Sequence, residues 1–203
     1  RRAEPREDII SDVAGAEVDG VELSTAEQLS MLQQFLVAGN ETTTKLLTNI
    51  VHHLATDDGL EQLLRDDPAR IDLCVEEALR FEAPVGGLFR RAKVDVALGA
   101  QTISKGDHVW LLFAAANRDA AQFPNPDAFE ACRSNAREHL AFGHGEHFCI
   151  GAQLARSEAR IAVEQILARM TNLRLIDNHP PFEYEDTFVL RGLTALHVEF
   201  DRI

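Results

Sequence analysis

Residues 142–151 read FGHGEHFCIG and lead straight into AQLARSEARIAVEQILARM at 152–170. A cysteine, Cys149, lies in a loop that holds Gly143 and Gly145, and a helical pattern begins just beyond it. Glycine has no Cβ, so such a loop can turn sharply and lie close to a flat ligand. The start of a helix offers unpaired N–H groups and the positive end of the helix dipole, and both favour a thiolate over a thiol. A cysteine by itself is most often a small buried apolar residue. Here five residues at fixed spacing, Phe142, Gly145, His147, Cys149 and Gly151, spell F-x-x-G-x-H-x-C-x-G.

Upstream, Ser24 followed by Glu27 forms a capping box, and the pattern that follows predicts a long helix to about Leu54. Leu29, Leu32, Phe35, Leu36, Leu46, Leu47, Ile50 and Leu54 recur at three- and four-residue spacing, giving one apolar face. The middle of this helix reads VAGNETTT at 37–44, where a glycine and three threonines are poor helix formers. Either the helix ends there, capped by Gly39 and Asn40, or it is distorted around a site. In the second case a threonine hydroxyl can exchange a proton with Glu41 or water, and Gly39 leaves room for a small ligand.

Residues 60–65 read as a short helix, and Asp67-Pro68 as an N-cap with proline in the first helical position. The next helix runs to about Arg80 and buries Ile71, Val75, Ala78 and Leu79. Glu77 and Arg80, three apart, project from one face of it and can pair. Alternation at Val94, Val96 and Leu98, a turn at Gly99-Ala100 and an apolar run at 109–113 predict a small sheet. A proline-rich meander follows at 116–129. Beyond the cysteine loop, 150–170 is a helix with one side of alanines at 152, 155, 159 and 162. The tail carries strand-like pieces at 173–176, 188–190 and 195–200.

In order and approximate spacing, these motifs resemble the cytochrome P450 family of haem-thiolate monooxygenases along essentially the whole chain. The resemblance implies a mainly α fold with small β-sheets, an α+β class, with residues 1–203 forming the carboxyl-terminal part of a single haem-thiolate domain. The amino-terminal half would lie outside the chain. It makes Cys149 the axial ligand of a haem b iron, a role suited to a thiolate. Phe142, Gly143, Gly151, Ala38 and Gly39 would flank the haem. Arg90, with Arg91 as its rival, and His147 would hold propionates, since a guanidinium forks well onto a carboxylate.

Glu41 and Thr42 would relay protons in the oxygen-binding groove of the central helix. Val37, Ala38, Val85, Leu88 and Val189 would line an apolar substrate pocket, the last from a hairpin tip at 187–190. Glu77 and Arg80 would be a buried structural pair behind the cysteine loop. One departure stands out: many bacterial members carry an arginine where this chain has Ala128, and Arg133 is the substitute. The implied reaction uses O2 and electrons from a ferredoxin or flavodoxin-type partner, for which Arg133, Arg137, Arg156 and Arg160 offer a basic patch.

The 203-residue composition, 45% hydrophobic and 26% charged, is that of a globular protein, and its net charge of −13 argues against nucleic acid and anionic membrane surfaces. No apolar run is long enough to span a membrane. Cys74, Cys132 and Cys149 are an odd, sparse set, which favours a reducing, cytoplasmic setting over a disulfide framework. Two rival readings remain at this stage. One is a zinc module using His139, His144, His147 and Cys149; the other is a haem-binding but inactive fragment.

Overall fold

A computed structural model describes residues 1–203, which divide into two compact units, 1–41 and 42–203. In the first unit, α1 (Ile9–Ala14) is capped by Asp8, whose carboxylate accepts from Ser11 N at 2.8 Å. A two-residue hairpin, β1 (Glu17–Val18) and β2 (Val21–Glu22), turns on Asp19 and Gly20, both at positive φ. Then α2 (Thr25–Thr56) begins on the expected capping box. The Glu27 carboxylate accepts from Ser24 N at 2.8 Å and Ser24 Oγ at 2.7 Å, while Glu27 N donates to Ser24 Oγ at 3.3 Å.

The long helix expected to about Leu54 is present, and the alternative of an end capped by Gly39 and Asn40 is not: α2 runs as α-helix through all of 37–44. Glycine costs only about 1 kcal/mol in a helix interior, and good helix formers on both sides propagate across it. One turn further on, the Thr48 hydroxyl donates to Thr44 O at 2.9 Å.

The second unit is built around α4 (Ile71–Phe81), whose apolar positions fall at helical spacing and whose whole stretch from Cys74 to Arg80 is buried. Its Ile71, Cys74, Val75, Ala78 and Leu79 pack with Leu46, Ile50 and Leu54 of α2 and Leu60 and Leu64 of α3 (Leu60–Asp66). Ala159, Val163 and Leu167 of α6 (Ala152–Arg169) complete this core. The small side expected of the last helix is what lets it approach, since Ala159 is fully buried. At the start of α4 the chain makes a 3-10 turn at Pro68–Arg70 rather than a capped α-helix. Asp67 does not cap, because its carboxylate instead takes Arg70 Nε at 2.8 Å.

The single sheet expected over 94–113 is two separate ribbons. β3 (Leu88–Arg91) pairs antiparallel with β6 (His108–Leu111), and β4 (Val96–Leu98) with β5 (Gln101–Ile103). Val94, Val96 and Leu98 are all exposed, so their alternation marks no buried face. Phe113 leaves β6 and is buried at the start of α5 (Phe113–Ala116). In the tail β7 (Met170–Leu175) pairs with β8 (Val198–Arg202). The expected strand at 188–190 reduces to one bridge, Leu190 to Val85, beside a hairpin closed by Glu185 N to Gly192 O and Thr194 N to Glu183 O. No helix is long and apolar enough to cross a membrane.

His53 fastens α2 to the meander. Its ring lies flat on Phe129, centroids 3.7 Å apart, and edge-on to Phe81 at 5.4 Å. Burial pushes its pKa from 6.5 down to about 4 and also lowers that of His52. The unfolded chain therefore binds a proton below pH 6.5 that the folded one refuses until about pH 4. Stability falls as pH drops through that window. Urea titrations at pH 7 and pH 5 should show a loss of up to about 2 kcal/mol, and His53→Phe should remove most of this slope.

Candidate functional site

The cysteine loop is shaped by its own backbone. Gly143 and Gly145 take positive φ of 72° and 76°, a region other residues enter only with strain. Gly143 N donates to Leu140 O at 2.9 Å, a short 3-10 turn at Gly145–His147 closes with Phe148 N on Gly145 O at 3.0 Å, and Cys149 N donates to Phe142 O at 2.9 Å. Cys149 is exposed, directly before the first turn of α6. Gly151 flanks the sulfur, since a Cβ there would touch Cys149 Sγ at 3.9 Å. Phe148, Ile150 and Leu154 form an exposed apolar rim around it, Ile150 at 90% exposure. Cys74 is the opposite case: burial pushes its thiol up to about 12 and leaves it inert.

Between α4 and the meander lies a buried ionic knot. Glu77 and Arg80, one helical turn apart on α4, meet in a two-pronged pair with both contacts at 2.7 Å and neither side chain exposed. Arg133 Nε reaches both Glu77 oxygens at 3.1 Å, and Glu130 N donates to one of them at 2.9 Å. The remaining guanidinium N–H groups of Arg80 hold the carbonyls of Asn117, Pro126 and Ala128. Those of Arg133 hold the carbonyls of Pro124, Asn125 and Ala128. Position 128 thus contributes a carbonyl, and the second arginine arrives five residues later.

A second knot sits beside it, and the sequence reading missed it. Glu76 is buried and takes Arg156 Nε at 2.7 Å, Arg156 Nη2 at 3.1 Å and His139 Nε2 at 3.0 Å, with Arg137 at 3.6 Å. Burial alone would raise its pKa, but the hydrogen bonds from His139 and Arg156 outweigh that and bring it to about 2. Arg156 also lies over the ring of Phe142 at 4.6 Å, so this knot touches the residue whose carbonyl holds Cys149. The doubled acid Glu76-Glu77 was the available signal.

This arrangement disposes of the zinc reading. His139 uses one ring nitrogen on Glu76 and receives Ala141 N on the other at 3.1 Å. No group of three or more His, Cys, Asp or Glu side chains gathers in ligating geometry. The expected basic patch is corrected as well. Arg133 is buried on Glu77 and Arg156 is engaged by Glu76, while Arg137 and Arg160 keep substantial exposure. A polar groove of about 430 Å³ between α4 and α6 includes Arg137, Arg156 and Arg160, answered by Asp72 and Glu76.

The other sequence-derived residues are placed as follows. Arg90 is half-buried on β3, opposite Val109 of β6, and donates to Phe89 O at 2.9 Å; Arg91 donates to Gly106 O at 3.3 Å. His147 is exposed in the 3-10 turn of the loop. Val85 and Val189 are brought together, because Val85 bridges Leu190 and Gly86 N donates to Val189 O at 2.8 Å. Leu88 is exposed at the start of β3. Val37, Ala38, Gly39 and Glu41 lie on α2 within the 1–41 unit, and Thr42 opens the second unit; a Cβ on Gly39 would meet nothing within 4 Å.

A sequence profile described as Cytochrome P450 matches residues 70–194. A cytochrome P450 of Bacillus subtilis (strain 168) is 41% identical over 201 residues, 98% of this chain and 49% of that protein. A vitamin D(3) 25-hydroxylase of Pseudonocardia autotrophica is 40% identical over 200 residues, again 98% and 49%. The solved structure of Mycobacterium marinum cytochrome P450 CYP150A6 in the substrate-free form superposes with a TM-score of 0.92 at 36% identity, covering all of this chain and 52% of that one. The chain spans about half the length of the curated relatives it matches.

The ionic knot carries a direct prediction. Removing one partner leaves an uncompensated buried charge, so Arg133→Ala or Glu77→Gln should destabilise the fold by about 3–5 kcal/mol in urea unfolding. Arg133→Lys should not restore it, because an ammonium cannot span Glu77 and three carbonyls at once.

Proposed function

The chain belongs to the cytochrome P450 family, and on that footing we propose that the protein carrying it is a haem-thiolate monooxygenase. It inserts one oxygen atom from O2 into an apolar small organic substrate and reduces the other to water, with electrons from a ferredoxin or flavodoxin-type partner. The observation that carries this reading is the exposed Cys149, held by its own N–H on Phe142 O at the threshold of α6.

The residues present suit a haem b group. The donor set supplies one sulfur beside a helix start, flanked by glycine backbone and a rim of exposed apolar side chains. Cys149 would ligate the iron, and Phe142, Gly143 and Gly151 would lie against the macrocycle. Arg90 or Arg91, with His147, would hold the propionates. When bound, haem with a thiolate ligand supplies dioxygen activation, since the thiolate donates electron density that favours O–O cleavage.

The remaining work falls to the protein's own groups. The Thr42 hydroxyl, next in sequence to the Glu41 carboxylate, passes protons inward from water as a positioned donor and acceptor. Val85, Leu88 and Val189 bind substrate by excluding water, a surface suited to an apolar molecule. The vitamin D(3) 25-hydroxylase relative supports that substrate class. Arg137 and Arg160, paired with Glu76 and Glu164 yet still exposed, are the members of the basic patch able to face an acidic redox partner. Three cysteines free of disulfides are consistent with a cytoplasmic setting.

The test is the absorption spectrum of the reduced full-length protein under carbon monoxide. A red-shifted Soret band of the thiolate type supports the assignment, and Cys149→Ser should abolish it. A thiolate-type band that persists in Cys149→Ser would refute the ligand. Thr42→Ala should retain haem but divert reducing equivalents to peroxide; unchanged coupling of electron use to product would refute the relay.

A further inference from the structure

The central helix and the hairpin at 183–194 are joined by a contact that none of the motifs explains. Lys45 lies one helical turn beyond Thr42 on α2, and its side chain is almost wholly buried, at 7% exposure. Its ammonium meets Glu185 Oε1 at 2.6 Å, on the leg of the hairpin. The stem of Lys45 crosses directly over Gly192 on the other leg, where a Cβ would fall 2.4 Å from Lys45 Cγ. Only glycine leaves that passage open. A buried ammonium without its carboxylate is strongly disfavoured, so the pair ties helix and hairpin together.

The same hairpin is tied on its other side to the residues after α4. Arg191 N donates to Pro84 O at 2.9 Å, Arg191 Nε meets Glu82 at 2.9 Å, and the guanidinium lies over Tyr184 at 3.8 Å. Between these fastenings the tip carries Val189, bonded through its carbonyl to Gly86, and Phe188, which stands edge-on to Phe89 and Trp110. We propose that the Lys45–Glu185 pair, with Gly192 as its passage, is a positioning latch that sets the distance between the Thr42 turn of α2 and the hairpin tip, and so determines substrate fit. The substrate-fit half of this proposal rests on the monooxygenase reading; the latch itself does not.

Hydrogen exchange on the full-length protein separates the two. Lys45→Met and Glu185→Gln should each speed exchange at the Glu185 and Thr194 amides by about tenfold or more, with α4 amides unchanged. The reversed pair, Lys45→Glu with Glu185→Lys, should return exchange to within about twofold of the native rate. Unchanged exchange in Glu185→Gln, whose side chain sits at the solvent edge and whose loss leaves the core intact, would overturn the latch. On the haem-loaded protein, 4-phenylimidazole should bind about tenfold more weakly to Glu185→Gln while imidazole is unaffected. Equal effects on both azoles would overturn the role in substrate fit even if the carbon monoxide spectrum upholds the thiolate.

Discussion

One carboxylate holds this structure to its shape. Glu77 is fully buried and faces two guanidiniums, and together the three side chains bring one negative and two positive charges out of water. Such a group persists only where every donor and acceptor is answered. Here the answers are the carbonyls of Asn117, Pro124, Asn125, Pro126 and Ala128, so the irregular meander has its course set by the arginines it must satisfy. Backbone without regular secondary structure is thereby held as firmly as a strand. Residues 130–141, with a 3-10 turn at Ala136–Glu138, link that meander to the cysteine loop.

The neighbouring acid extends the same logic to the site. Adjacent residues of α4 point to adjacent knots, Glu77 toward the meander and Glu76 toward His139 and Arg156. Arg156 comes from the helix that follows Cys149, and its guanidinium covers Phe142, whose carbonyl receives the Cys149 N–H. The loop is thus bracketed from both ends of its own sequence. A thiolate ligand benefits from such rigidity because donors fixed in advance need no reorganisation.

How much of this was legible follows from the range of the interactions. Ser24 with Glu27, the apolar face of α4, the alanine side of α6 and the spacing around Cys149 are local patterns, and the sequence states them openly. The course of α2 through 37–44 was left open because Gly39 and three threonines argue locally against helix, while helix propagation on both sides carries it through. Arg133 was read both as the stand-in for position 128 and as part of a surface patch, and it is a core residue whose partner lies 56 positions away. His139 and Arg156 meet Glu76 across 63 and 80 positions. The two ribbons were read as one sheet because alternation does not reveal which strands pair.

The two buried knots of α4, Glu77 holding the meander and Glu76 reaching Phe142 through Arg156, should fix the cysteine loop without a bound group. Amide hydrogen exchange at Cys149 in protein stripped of any cofactor tests it most directly. The account predicts a protected Cys149 N–H that loses protection in Arg133→Ala under conditions where the α4 amides still exchange slowly. A Cys149 N–H that exchanges at the rate of a free peptide in the unsubstituted protein, with α4 and α6 intact, would contradict it.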